Sequence, residues 1–243
     1  MRLGEAYWAF NLYPEAGEGG GCLVRPTRPL PTGGPPDTAR SRQEAARRAR
    51  GKLRRYCAAN RLNRLATLTY AGEGCSDPQQ LREHVGEFFR GLRLQLEGER
   101  FPYAWTSEWH PGGHGLHVHF AVGRYVRQRL IRDVWGRGIV HIKLIGDLPH
   151  GSGALEEARV AAAYLAKYVS KSLDDERRAA GLHRYEVAQG FQPERVQLQA
   201  RAEADLLAEA SARMGGDPSR LWRSSASDGW TKPPAVWCAW TDR

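Results

Sequence analysis

Four of the eight histidines, His110, His114, His117 and His119, fall within ten residues of one another. In the run Leu116-His117-Val118-His119-Phe120, polar and apolar residues alternate as in a β-strand. That alternation turns His117 and His119 to one face, with Cα atoms about 6.5–7 Å apart, and the apolar residues to the other. Two imidazoles at this separation can converge on one metal ion, although two histidines capping a half-buried sheet would show the same H-x-H. Glu108 lies on the preceding strand-like segment, and a hairpin would bring its carboxylate alongside the histidines. Read alone, Glu108 is an ordinary exposed strand residue. Read together, His117, His119 and Glu108 are a donor set that leaves coordination positions open, as a catalytic metal centre requires.

A second constellation lies downstream, in Tyr164-Leu165-Ala166-Lys167-Tyr168-Val169-Ser170-Lys171. At 100° per residue, Tyr164, Lys167, Tyr168 and Lys171 share one helix face. Leu155, Ala158, Ala162, Leu165, Val169 and Leu173 form a separate apolar stripe, so packing does not require the tyrosines. The lysines alone would read as a solvated basic face. A tyrosine hydroxyl ionises near pH 10, so its attack on phosphorus needs help. A metal that withdraws charge from the phosphate and a lysine that neutralises it would supply that help.

These residues need a scaffold, and local patterns predict one. Leu65 to Tyr70 is β-prone and ends at Ala71-Gly72, a turn signal. Ser76-Asp77-Pro78 is a helix start, and Leu81, Val85, Phe88, Leu92 and Leu96 recur at helical spacing. Residues 101–109 and 115–123 are strand-like and flank His110-Pro111-Gly112-Gly113-His114, which predicts an antiparallel hairpin. A short helix at 127–135, a strand at 139–145, a long helix at 154–173, a strand near 185–187 and a helix near 194–214 follow. Before them, the prolines and glycines of residues 14–37 favour an irregular segment, and residues 38–60 read as an Arg-rich helix. The last stretch holds Trp222, Trp230, Trp237 and Trp240, as anchors of a tail or as a base-stacking platform. The expected organisation is 1–60 as an extension with the Pro/Gly loop and Arg-rich helix, 61–190 as the core, and 191–243 as the C-terminal helix and Trp-rich tail.

Charge narrows the partner. The chain of 243 residues carries 36 Lys plus Arg against 27 Asp plus Glu, a net +9. Only five of those basic residues are Lys, and Arg suits bidentate phosphate contacts, so an anionic polymer is the natural partner. GC-rich codon usage would also favour Arg over Lys. Cys22, Cys57, Cys75 and Cys238 show no C-x-x-C spacing, so neither a zinc ribbon nor a disulfide framework is signalled. No stretch approaches the roughly 18 apolar residues of a membrane span, and the expectation is a cytoplasmic protein without membrane contact. The sequence contains no H-E-x-x-H, no H-x-[ST] pair and no G-x-x-x-x-G-K-[ST], which argues against a zincin, a two-histidine phosphoesterase and a helicase motor.

In order, the strand Thr67-Leu68-Thr69-Tyr70, the strand His117-Val118-His119 and the Y-x-x-K-Y helix resemble the three motifs of the HUH endonucleases. The similarity spans about residues 60–175 and is to rolling-circle replication initiators with two tyrosines, as in plasmids and small single-stranded DNA phages. The resemblance implies an α/β (α+β) protein with a ferredoxin-like core, its central antiparallel sheet flanked by helices. It implies a divalent ion, Mg²⁺ or Mn²⁺, held by His117, His119 and Glu108, with His114 as a competing ligand; imidazoles alone would suggest Zn²⁺ or a later transition metal. It implies Tyr164 and Tyr168 as nucleophiles and Lys167 and Lys171 as phosphate-side helpers. The implied reaction nicks single-stranded origin DNA, forms a 5′-phosphotyrosine link, frees a 3′-OH for a host polymerase and religates. A host helicase would unwind the duplex. Two alternatives stand beside this one: another HUH enzyme, such as a relaxase or single-strand transposase, or a non-catalytic nucleic-acid-binding ferredoxin-like module.

Overall fold

The computed structural model describes residues 5–26, 38–110, 112–143, 153–171 and 185–241; the side chains of residues 38–40, 42, 170 and 171 lie outside that description. In chain order the elements are β1 (Tyr7–Tyr13), β2 (Glu18–Val24), α1 (Thr38–Ala59), β3 (Arg64–Tyr70), α2 (Pro78–Gln95), β4 (Tyr103–Trp109), β5 (Leu116–Val122) and α3 (Gln128–Trp135). They continue as β6 (Gly138–Lys143), α4 (Ala154–Lys171), β7 (Glu186–Val187), β8 (Val196–Ala200), α5 (Glu203–Met214), β9 (Arg220–Arg223) and β10 (Ala235–Ala239). The protein is α+β, with two antiparallel five-stranded sheets.

The chain divides into two compact units, 1–37 with 193–243, and 38–192. In the first, strands run in the order β8-β1-β2-β10-β9, and α5 packs on the sheet through Leu206 and Ala210 against Trp8, Phe10, Leu198 and Val236. The glycine-rich stretch read as irregular contains β2 instead. Its glycines are there because the neighbouring strand fills the space: a Cβ on Gly19 would run into the Phe10 ring, and one on Gly21 into the Ala9 carbonyl. Residues 27–37 of the same stretch lie outside the described residues. At the C-terminal end Trp240 is buried, and its indole N–H donates to Gly216 O at 2.8 Å. Trp222 and Trp230 meet edge to face.

The second unit holds the sheet β6-β3-β5-β4-β7. Alternation along each strand sends successive side chains to opposite faces, and both faces are covered by helices. Ala66, Leu68, Trp105, Val118 and Phe120 pack with α2 and α3, whereas Leu65, Ala104 and Ala121 pack with α1 and α4. The α2 start follows its sequence signal: the Asp77 carboxylate accepts from Gln79 N at 2.8 Å, with Pro78 at the first helical position. The Arg-rich helix α1 lies in this unit, where Leu53, Tyr56 and Cys57 are buried against Ala161 and Leu165 of α4. Its arginines leave one apolar face free for packing, a common division of labour in an amphipathic helix. Among the described residues no helix is long and apolar enough to cross a membrane.

Candidate functional site

The β4–β5 hairpin carries the histidines in the register that brings Glu108 directly opposite His117, with His119 opposite Thr106 on one side and Thr67 of β3 on the other. The hairpin's loop end is clamped to the loop before α2. Leu116 N donates to Cys75 O at 2.7 Å, and Gly115 takes a φ of +78°. A Cβ on Gly115 would strike the Cys75 backbone, so glycine is required there both for its backbone angle and for the close approach.

His119 is buried and held at both ring nitrogens. Nδ1 is 2.9 Å from Thr67 Oγ1, and Nε2 is 3.2 Å from Glu108 Oε2. The carboxylate therefore reaches diagonally to His119 rather than straight across to His117. The His117 ring stacks on His110, with centroids 4.5 Å apart and planes at 14°, and stands 6.0 Å from the His119 ring. Its Nε2 is shut off from solvent and has no hydrogen-bond partner among the described residues. Burial holds the His117 pKa below the ordinary imidazole value; the neighbouring His110 pushes the same way, and Glu108 opposes them. His114 is exposed, and its ring contact is edge-on to His110.

Above this row lies α4. The Tyr168 ring stacks flat on His119, at 3.8 Å between centroids and 12° between planes, while Tyr164 meets His119 edge-on at 5.9 Å. The Tyr168 hydroxyl donates to the Tyr164 hydroxyl at 2.7 Å. The tyrosine face expected to stand apart from packing is thus turned to the sheet: Tyr168 is only 8% exposed, and Tyr164 is half-buried against the α1–α4 core. The Tyr168 pKa is raised well above the ordinary value, first by burial, then by the hydrogen bond and charge of Tyr164, and last by the charge of Glu108. Tyr168 is accordingly a proton holder at neutral pH.

The cations divide differently from the sequence pattern. Lys167 is exposed, and the Lys171 side chain lies outside the described residues. Lys143, at the end of β6, puts its Nζ 4.9 Å from the centre of the Tyr164 ring. Lys143 escaped notice because β6 and α4 are joined only through long-range packing. Its one sequence signal is the alternation Ile139, His141, Lys143, which places it on the same sheet face as the histidines. Thr67 was likewise legible as a strand residue but not as the partner of His119.

Among the described residues no three His, Cys, Asp or Glu side chains already form a group that would hold a metal ion. The donor chemistry is nonetheless that of a divalent site. His119 Nε2 and Glu108 Oε2 converge, Thr67 fixes the far nitrogen of His119 as metal-site partners do, and His117 offers a buried nitrogen that no other described residue uses.

Residues 63–173 match a family model of replication-associated proteins, that of the ORF2 and gene 2 protein type. The matched span runs from β3 through α4 and contains the histidines, Glu108, Lys143 and both tyrosines. No curated protein and no solved structure gives a significant match. The match associates this segment with DNA replication.

Proposed function

We propose that the protein is a rolling-circle replication initiator that nicks single-stranded origin DNA with a tyrosine and later rejoins it. The observation that carries the proposal is the hydroxyl pair Tyr168–Tyr164, seated on His119 where His119 faces Glu108. In the nicking step, Tyr164 Oη bonds to phosphorus and the P–O3′ bond breaks. The departing 3′ oxygen takes up a proton, and the 5′-phosphate stays on the tyrosine. Tyr168 Oη keeps its proton and donates to the attacking oxygen, which steadies the negative charge as it develops. Lys143 sets a positive charge beside the same ring. His117, His119 and Glu108 would hold a Mg²⁺ or Mn²⁺ ion, which draws charge from the non-bridging phosphate oxygens when bound. Having two tyrosines permits a second transfer that closes the circle. Lys167 and Lys171 would meet flanking phosphates, and a host helicase and polymerase complete the process in the cytoplasm.

The test uses single-stranded oligonucleotides tiled across the genetic element's own intergenic DNA, with Mn²⁺. One oligonucleotide should shift the protein on a denaturing gel and leave it linked to a 5′ end. The Tyr164→Phe, Tyr168→Phe double variant should form no adduct; an adduct from that variant sinks the mechanism. The stacking of His117 on His110 favours one rival, a binding module with structural histidines. That rival predicts salt-sensitive DNA binding with no metal dependence and no adduct.

A further inference from the structure

On the sheet face away from the histidines, α2, the start of β4 and the residues after β7 enclose a cavity of about 310 Å³. It is distinct from the tyrosine site. Tyr103, in its wall, pairs with Val122, five residues along β4 from the Glu108–His117 pair, or about 17 Å at strand spacing. Alternation puts Tyr103 and Glu108 on opposite faces. Three guanidinium groups line the cavity, those of Arg90, Arg93 and Arg100. Arg100 is anchored by its bond to Gln189 O at 3.1 Å. Arg90 and Arg93, one turn apart near the end of α2, have no carboxylate partner among the described residues. Glu186, the carboxylate whose charge reaches Tyr103, is taken by Arg82 at 2.6 Å. The remaining wall is aromatic. Phe89 and Tyr103 stack in parallel at 3.6 Å, and Tyr103 and Phe191 are half-buried, with ring surface left toward the cavity.

Like charges gathered round an apolar hollow repel one another unless an anion sits among them. Guanidinium groups suit phosphate because their planar forks bond its oxygens in pairs. Aromatic walls suit a nucleobase because every base has a π-face to stack. The cavity lies at the lower end of the range for small-molecule sites, roughly 300–1,000 Å³. From this combination we infer that the cavity binds one nucleoside 5′-phosphate unit, its phosphate on Arg90, Arg93 and Arg100 and its base against Tyr103 and Phe191. The unit comes either from a free nucleotide or from one residue of a single strand.

The full chain, in EDTA and about 100 mM salt, is titrated calorimetrically with dAMP, inorganic phosphate and an eight-residue deoxyadenosine strand. EDTA keeps the measurement independent of nicking. Binding of dAMP, tighter than phosphate and weakened about 10-fold or more in Arg90→Gln, Arg93→Gln, supports the site, since charge-assisted bonds of this kind are strong. Strand binding with the same sensitivity but no dAMP binding supports it and assigns the source to DNA. Arg129→Gln, removing a well-exposed α3 charge, is the control. An equal loss there, or none in Arg90→Gln, Arg93→Gln, overturns the proposal, and phosphate binding as tightly as dAMP overturns the nucleotide assignment. Thermal unfolding of each variant separates lost binding from lost folding: should the double variant unfold early, the exposed single change Arg90→Gln carries the test.

Discussion

Replacing Thr67 by Val removes one hydroxyl and little else, because Val keeps the shape and the strand preference. The hydroxyl is 2.9 Å from Nδ1 of a buried imidazole whose other nitrogen faces Glu108. An unsatisfied buried polar group costs about 1–3 kcal/mol. For a chain of this size each kcal/mol moves the unfolding midpoint by roughly 2–4 °C, so Thr67→Val should unfold about 2–12 °C lower in EDTA. The same change frees the His119 ring to rotate and exchange tautomers. If His119 holds a divalent ion, loss of its outer partner should weaken Mn²⁺ binding about 10–100-fold. Calorimetry in EDTA reads the first effect, Mn²⁺ titration the second, and ¹⁵N spectra of the imidazole the tautomer. Thr69→Val, two residues along the same face, is the control, since the Trp135 indole bonds the Thr69 carbonyl rather than its side chain. A Thr67→Val protein with unchanged midpoint, tautomer and Mn²⁺ affinity would refute the reasoning.

Glu108→Gln keeps the size but removes the charge at 3.2 Å from His119 Nε2; Mn²⁺ binding should weaken about 10-fold or more, with adduct formation on the origin strand falling in step. Gly115→Ala should destabilise the second unit by at least about 1–2 kcal/mol from the backbone angle alone, with the Cys75 clash adding to it; an unchanged unfolding midpoint would contradict the clamp. Alkaline stability tests the α1 packing. Burial raises the pKa of Tyr56, whose hydroxyl donates to Ala188 O at 3.0 Å, far above its ordinary 10.0. The folded state then keeps a proton that the unfolded chain releases, so this stabilisation is whole below pH 10 and is lost as pH rises above it. The neighbouring buried Cys57 acts with the same sign from its ordinary 9.0 upward. Tyr56→Phe should therefore be less stable at pH 8 and show a shallower decline toward pH 11 in urea titrations.

Much of the nicking-site candidate was legible because it depends on short-range periodicity. Strand alternation places His117 and His119 on one face whatever they pack against. A loop as short as residues 110–115 forces β4 and β5 into an antiparallel pair, which brings Glu108 opposite His117. The spacing of Tyr164 and Tyr168 stacks them on one side of α4. By contrast, β2 was hidden because its glycines answer to Phe10 and Ala9 across the sheet, and glycine without its neighbours reads as a turn. The organisation expected as 1–60, 61–190 and 191–243 is drawn by composition along the chain. The units 1–37 with 193–243, and 38–192, follow pairings such as β1 with β8 and β2 with β10, which join the two ends.

The sequence by itself determined which side chains share a face and which chemistry they offer: two imidazoles, a carboxylate and two tyrosines at helical spacing. Only the tertiary structure decided which atoms meet. It set Thr67 and Glu108 at the two nitrogens of His119, laid Tyr168 on that ring, brought Lys143 to Tyr164 instead of Lys167, and gathered Arg90, Arg93 and Arg100 round an aromatic hollow on the far face. Periodicity is a property of a few bonded neighbours. Register between strands and the docking of a helix on a sheet depend on residues tens of positions apart, whose proximity is set by the packing of the entire core.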